Sequence, residues 1–227
     1  NPLSLVMDGN KSLTATFAID TYVLNLTVTD SGSVQLNPDQ PNYAHGTQVI
    51  LSATPSTGHH FMSWGGDASG STNPLSIVMT SDMNITAIFA IDTYAVNVTT
   101  VGSGTVAKSP DLAAFDYGTI LRLSAIAATG YHFVGWTGDA TGSTNPKNLL
   151  INGIKNVTAT FAINVYTLDI STIGTGSVVK TPDQATYTHG TNVQLQATAG
   201  TGYHFVNWIG DAGGSVNPLT VTMDRSK

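Results

Sequence analysis

The chain has 227 residues, 41% of them hydrophobic and only 10% charged, with a net charge of −6. All fourteen acidic residues are Asp, the eight Lys and Arg form no cluster, and Cys is absent. That composition excludes a basic phosphate-binding footprint, and with it nucleic acid as a partner. It also excludes disulfide or thiolate–metal staples, and no run approaches the ~20 apolar residues of a spanning helix.

The chain repeats itself. Tyr22, Tyr94 and Tyr166 are 72 residues apart, as are Trp64, Trp136 and Trp208, and Asn-Pro pairs recur at Asn1, Asn73, Asn145 and Asn217. A fixed period of this length marks a tandem array of small modules. Each module must hold itself with an apolar core and its neighbours, because a unit of this size buries only roughly 60% of its unfolded surface. The chain opens in mid-period, which places its natural N-terminus elsewhere.

Within one period the predicted elements are strands, because apolar and polar residues alternate. The first is led by Tyr22, with Leu24, Leu26 and Val28 inward and Val23, Asn25 and Thr27 outward. A Gly-bearing turn follows, then a short strand at Ser33–Leu36, together read as a hairpin that ends at Pro38-Asp39. A third strand covers Thr47–Ala53 with Val49, Leu51 and Ala53 inward; Arg122 and Gln194 stand at the outward position of Ile50 in the other repeats. A fourth covers His59–Trp64 and leads into an oxygen-rich loop, Gly65–Pro74. Leu75–Met79 and Ile85–Ile91 read as a closing hairpin, the latter with Ile85, Ala87, Phe89 and Ile91 inward. Helical periodicity is absent, with one turn at most at Asp111–Phe115. The fold expected is mainly β: small modules of about six short strands each, β-grasp-related or a small sandwich.

The segments Gly130-Tyr131-His132-Phe133-Val134-Gly135-Trp136 and Gly202-Tyr203-His204-Phe205-Val206-Asn207-Trp208 are followed or preceded by Tyr-led strands, Gly turns and an Ala159-Thr160-Phe161 ending. In that order they resemble the divergent internalin-B-type B-repeat family of bacterial surface proteins. His59 at the Tyr131 position and Phe115 in place of Tyr depart from its pattern. The resemblance implies repeat units at residues 22–93, 94–165 and 166–227, the third without its last strand. Residues 1–21 are then the closing hairpin of a preceding repeat. It further implies compact modules without activity, on secreted or wall-attached proteins, with a family helix falling at Asp39–Gly46, where Pro41 opposes it.

Candidate sites are few. Trp64, Trp136 and Trp208, with Tyr131 and Tyr203, could stack on sugar rings; one large aromatic per unit is also what a small core needs. The loops carrying Asp67, Asp139 and Asp211 offer oxygen ligands, but a single carboxylate each, where Ca2+ takes six to eight oxygens. His60, His132 and His204 stand 72 residues apart, so they belong to separate modules rather than one metal site. Asn10, Asn25, Asn84, Asn97 and Asn156 begin Asn-x-Ser/Thr triplets that fit the strand pattern equally well. No nucleophile elbow or metalloprotease motif occurs, and with no Glu a buried carboxylate pair has little to draw on.

The expectation is a non-catalytic extracellular array: a stalk, fibre, surface spacer or adhesin segment of a secreted bacterial protein, with no cofactor. Its partners would be neighbouring repeats or copies of itself joined head-to-tail into a filament, and cell-surface glycans. The alternative is a carbohydrate-binding appendage of a secreted enzyme or adhesin.

Overall fold

The computed structural model describes residues 2–227. Its regular structure is β; among the described residues no helix is long and apolar enough to cross a membrane. The chain divides into two compact units, Asn1–Asp92 and Thr93–Lys227.

In the first unit the strands are β1 (Thr21–Tyr22), β2 (Leu24–Thr29), β3 (Gly32–Asn37), β4 (Tyr43–Ala44), β5 (Gln48–Pro55), β6 (His59–Gly66), β7 (Leu75–Val78) and β8 (Met83–Ile91). Two three-stranded sheets, β2-β8-β6 and β3-β5-β7, enclose one core, and β1 pairs with β4 at its end. The alternation explains the layering. Val49, Leu51 and Ala53 of β5 face Ile85, Ala87 and Phe89 of β8 across the core, all at 7% exposure or less.

The second repeat, within the unit Thr93–Lys227, has the same plan. It runs β9 (Thr93–Tyr94), β10 (Val96–Val101), β11 (Gly104–Ser109), β12 (Phe115–Asp116), β13 (Ile120–Ala127), β14 (Tyr131–Gly138), β15 (Lys147–Leu150) and β16 (Lys155–Ile163). Its sheets are β10-β16-β14 and β11-β13-β15.

Both expected hairpins are corrected by this topology. β2 and β3 lie in different sheets, as do β7 and β8, so each turn carries the chain across the core rather than back along a neighbour. The apolar faces of both strands in each pair point at one core, which two strands on opposite sides satisfy as well as two side by side. β2 instead runs parallel to β8, with Leu24 opposite Met83 and Thr29 opposite Ile88. The single turn expected at Asp111–Phe115 and the helix implied at Asp39–Gly46 are also absent: Tyr43–Ala44 and Phe115–Asp116 are strands.

A bulge explains the Phe-x-x-Trp spacing. In a regular strand, residues three apart point to opposite faces. The β6–β8 register shifts between Phe61 and Ser63, so Met62 is the extra residue and both Phe61 and Trp64 turn inward. β14 repeats this between Phe133 and Gly135.

The third repeat is built differently. It forms β17 (Val165–Tyr166), β18 (Gly176–Thr181), β19 (Tyr187–Thr188), β20 (Asn192–Ala199) and β21 (Leu219–Thr222), hence the sheet β18-β20-β21 and the pair β17-β19. The second sheet does not form: residues 168–173 and 203–207 carry no strand pairing. Residues 2–20, expected as a closing hairpin, form no strand either. In both cases the cause is the same. The β8-type strand is central, so without it β2-type and β6-type segments have no partner, and without those it has none.

Candidate functional site

The oxygen-rich loops are part of the framework. Asn73 uses its side-chain amide as an extra strand residue, accepting from Ala53 N at 2.9 Å and donating to Ala53 O at 2.7 Å. Asn145 does the same to Ala125 and Asn217 to Ala197. The Trp64 indole donates to Thr72 O at 2.8 Å and its main-chain N–H to Gly70 O at 2.8 Å, closing the same loop. Asp67 Oδ2 accepts from Asn84 N at 2.7 Å, and Asp139 Oδ2 from Asn156 N at 2.7 Å. Each carboxylate therefore ties the loop to the start of the central strand. Among the described residues no three His, Asp or Glu side chains converge.

The aromatic residues separate by repeat. Trp64 and Trp136 are 3% and 2% exposed, each tilted against a Phe one bulge away, and both lie in the core with no ring face to solvent. Tyr131 is partly buried beside the core of its repeat. In the third repeat Tyr203 is 57% exposed and Trp208 only partly buried. His60 and His132 sit at the edges of their sheets, His60 Nδ1 2.8 Å from Asp92 Oδ1 and His132 Nδ1 2.7 Å from Asn164 Oδ1. His204 is exposed. The Asn triplets mark a ladder: Asn25 Nδ2 donates to Asn84 Oδ1 and Asn97 Nδ2 to Asn156 Oδ1, across the parallel strand pairs.

The feature that stands out from the framework is a groove of about 580 Å3 in the third repeat. One wall is Leu168, Ile170 and Thr172, the other Tyr203, Phe205 and Trp208, and its floor reaches Leu195 and Val221 of the remaining sheet. It occupies the place of the central strand. Only its first register position is filled: Lys227 N donates to Thr167 O at 3.0 Å, as Met83 N does to Val23 O and Lys155 N to Ala95 O. Asp169 N in turn donates to Lys227 O at 2.8 Å. At this mouth the Lys227 ammonium, hydrogen-bonded to Asp224, holds that carboxyl below the usual carboxylate range. Asp211, which has no main-chain N–H of a central strand to accept from, pairs with Arg225 at 3.1 Å.

Two glycines record what is missing. A Cβ on Gly104 would meet the Phe161 ring at 2.6 Å, and Gly32 is covered in the same way by Phe89. Gly176, their counterpart, meets only main-chain atoms of β20 and no ring. What sequence reading missed is that the β2-type and β6-type segments depend on the central strand for their pairing. The Asn amide and the Gly–Phe contact were also missed, although both recur every 72 residues.

Comparison with known proteins gives one family and one solved structure of note. The divergent InlB B-repeat domain matches three times in tandem, at residues 22–93, 94–165 and 166–227. No curated protein matches the chain. A solved structure titled "The Bacillus anthracis TIE protein" aligns at 7% identity and a TM-score of 0.39, over 92% of this chain and 49% of that one.

Proposed function

Because the chain belongs to the divergent InlB B-repeat family, we propose that it is a non-catalytic structural array, a stalk or spacer segment on the outside of a bacterial cell. The observation that carries this reading is the use of conspicuous residues as framework in the repeats that close. Trp64 and Trp136 are core, Asp67 and Asp139 are caps, and Asn73 and Asn145 are strand surrogates. A module whose polar and aromatic groups are used internally presents little chemistry of its own.

Between the second and third repeats the connection is fixed by main-chain bonds. Asn164 N donates to Gly130 O at 2.8 Å, and His189 N donates to Asn164 O at 2.9 Å. Such a junction transmits force through short, hydrogen-bonded connections rather than a free linker. The test is surface display with one, two or three periods between a wall anchor and a reporter domain. Access of a bulky antibody to the reporter should rise with each added period; access independent of period number would defeat the spacer reading.

A further inference from the structure

The connection between β15 and β16 carries a residue pair that its counterparts lack. Asn152-Gly153 is the one Asn-Gly pair in the chain. Asn152 is exposed, and its Oδ1 accepts from the Lys155 ammonium at 2.6 Å. One period earlier the places of Asn152 and Lys155 hold Thr80 and Met83; one period later they hold Asp224 and Lys227, paired at 2.8 Å. Asp8 and Lys11, two periods earlier, pair likewise. Wherever Lys stands at the second place, the first is therefore an aspartate or, once, its amide.

That amide is open to a reaction that Thr80, Asp8 and Asp224 do not invite. The nitrogen of the following residue lies within reach of the side-chain carbonyl, and joining the two closes a five-membered ring. Glycine gives the backbone the freedom to bring them together. A Cβ at Gly153 would meet nothing within 4 Å, and its N–H donates to no group among the described residues. The turn is anchored on either side instead: Ile151 N donates to Thr119 O at 2.8 Å and Lys155 N to Ala95 O at 3.1 Å. The Lys155 ammonium polarises the Asn152 carbonyl and faces the oxyanion that attack creates.

We propose that Asn152 deamidates through Gly153 and that the carboxylate formed pairs with Lys155. Gly153 N bonds to Asn152 Cγ and gives its proton to hydroxide, while the carbonyl electron pair moves onto Oδ1 beside the ammonium. The oxyanion collapses, the Cγ–Nδ2 bond breaks, and Nδ2 leaves as ammonia with a proton from water. Water then opens the succinimide. Opening at Cγ restores the main chain with an aspartate at position 152. Opening at the main-chain carbonyl gives isoaspartate, one carbon longer between the anchored residues 151 and 155. Either product adds one negative charge to a chain that carries −6. The aspartate also turns the Lys155 contact into the ion pair that Asp224 and Lys227 already make.

The spacer role stands whichever way this falls. The full chain, aged in mildly alkaline buffer and digested for mass analysis, should gain one mass unit in the peptide containing residue 152. The gain should quicken as pH rises, because hydroxide takes the Gly153 proton. Peptides carrying Asn25 and Asn192, which precede Leu26 and Val193, should keep their mass. Gly153→Ser, the residue type of Ser81 one period earlier, should suppress the gain. Lys155→Met, matching Met83, should slow it roughly threefold in the folded chain, the scale of an exposed charge contact, and leave the urea-unfolded chain unchanged. In Asn152→Asp the new carboxyl, followed by NMR, should titrate below the usual carboxylate range, as Lys227 holds Asp224. An unaltered mass at residue 152 overturns the proposal, as does a rate in the folded chain indifferent to Lys155→Met. A new carboxyl that titrates in the ordinary range overturns the pairing with Lys155.

Discussion

A single hydroxyl distinguishes Tyr43 and Tyr187 from Phe115, three residues buried alike at 1% exposure. The Tyr43 hydroxyl donates to Pro38 O at 3.1 Å and accepts from Gln40 N at 3.2 Å, and Tyr187 repeats this with Pro182 and Gln184. Phe115 leaves the matching groups, Pro110 O and Leu112 N, without that link. Phe115→Tyr should therefore stabilise the second repeat by about 1 kcal/mol, the net worth of an internal hydrogen bond, read as a higher urea midpoint with unchanged slope. Asn145→Ala should act in the other direction. It removes both bonds to Ala125 and leaves a part-buried N–H and C=O unpaired, costing about 2 kcal/mol in the same titration. A loop merely exposed to solvent would show a change of at most a few tenths.

Elements are joined by shape as much as by hydrogen bonds. β11 begins at Gly104 because the Phe161 ring of β16, in the other sheet, lies where a side chain would be. The backbone at Gly104 has no positive φ, so the constraint there is space alone. Gly104→Val should overpack the core by about 1–3 kcal/mol, seen as a lower thermal midpoint, and a companion Phe161→Leu should recover part of the loss. Independence of the two substitutions would show that the sheets do not meet at this point. The bulges of β6 and β14 belong to the same scale: one extra residue turns Trp64 and Trp136 inward beside Phe61 and Phe133.

At the scale of the molecule, the second sheet of a repeat stands or falls with its central strand. The central strand joins β2-type and β6-type segments that have no other partner, so its presence is all or nothing for the second sheet. Hydrogen exchange should separate the states: the strand-paired amides of Val96–Val101 and Tyr131–Gly138 protected, those of 170–173 and 204–207 fast in the chain as it stands. Extending the chain after Lys227 with the sequence of Ser12–Asp20 should protect the latter and bury Trp208. Fast exchange retained in the extended chain would mean that the third repeat cannot close.

The 72-residue period, the β class and the inward or outward sense of nearly every strand residue could be read without coordinates. Each depends on side-chain chemistry that repeats locally: Val49, Leu51 and Ala53 announce their face by alternation alone. Strand partnership could not be read in that way. β2 beside β8 rather than β3, and β8 beside β6 rather than β7, are choices among backbones that carry identical N–H and C=O groups, and a turn sequence permits a crossing of the core as readily as a return. The tertiary structure decides them by closing two faces over one volume. The same closure makes Trp64 and Trp136 framework.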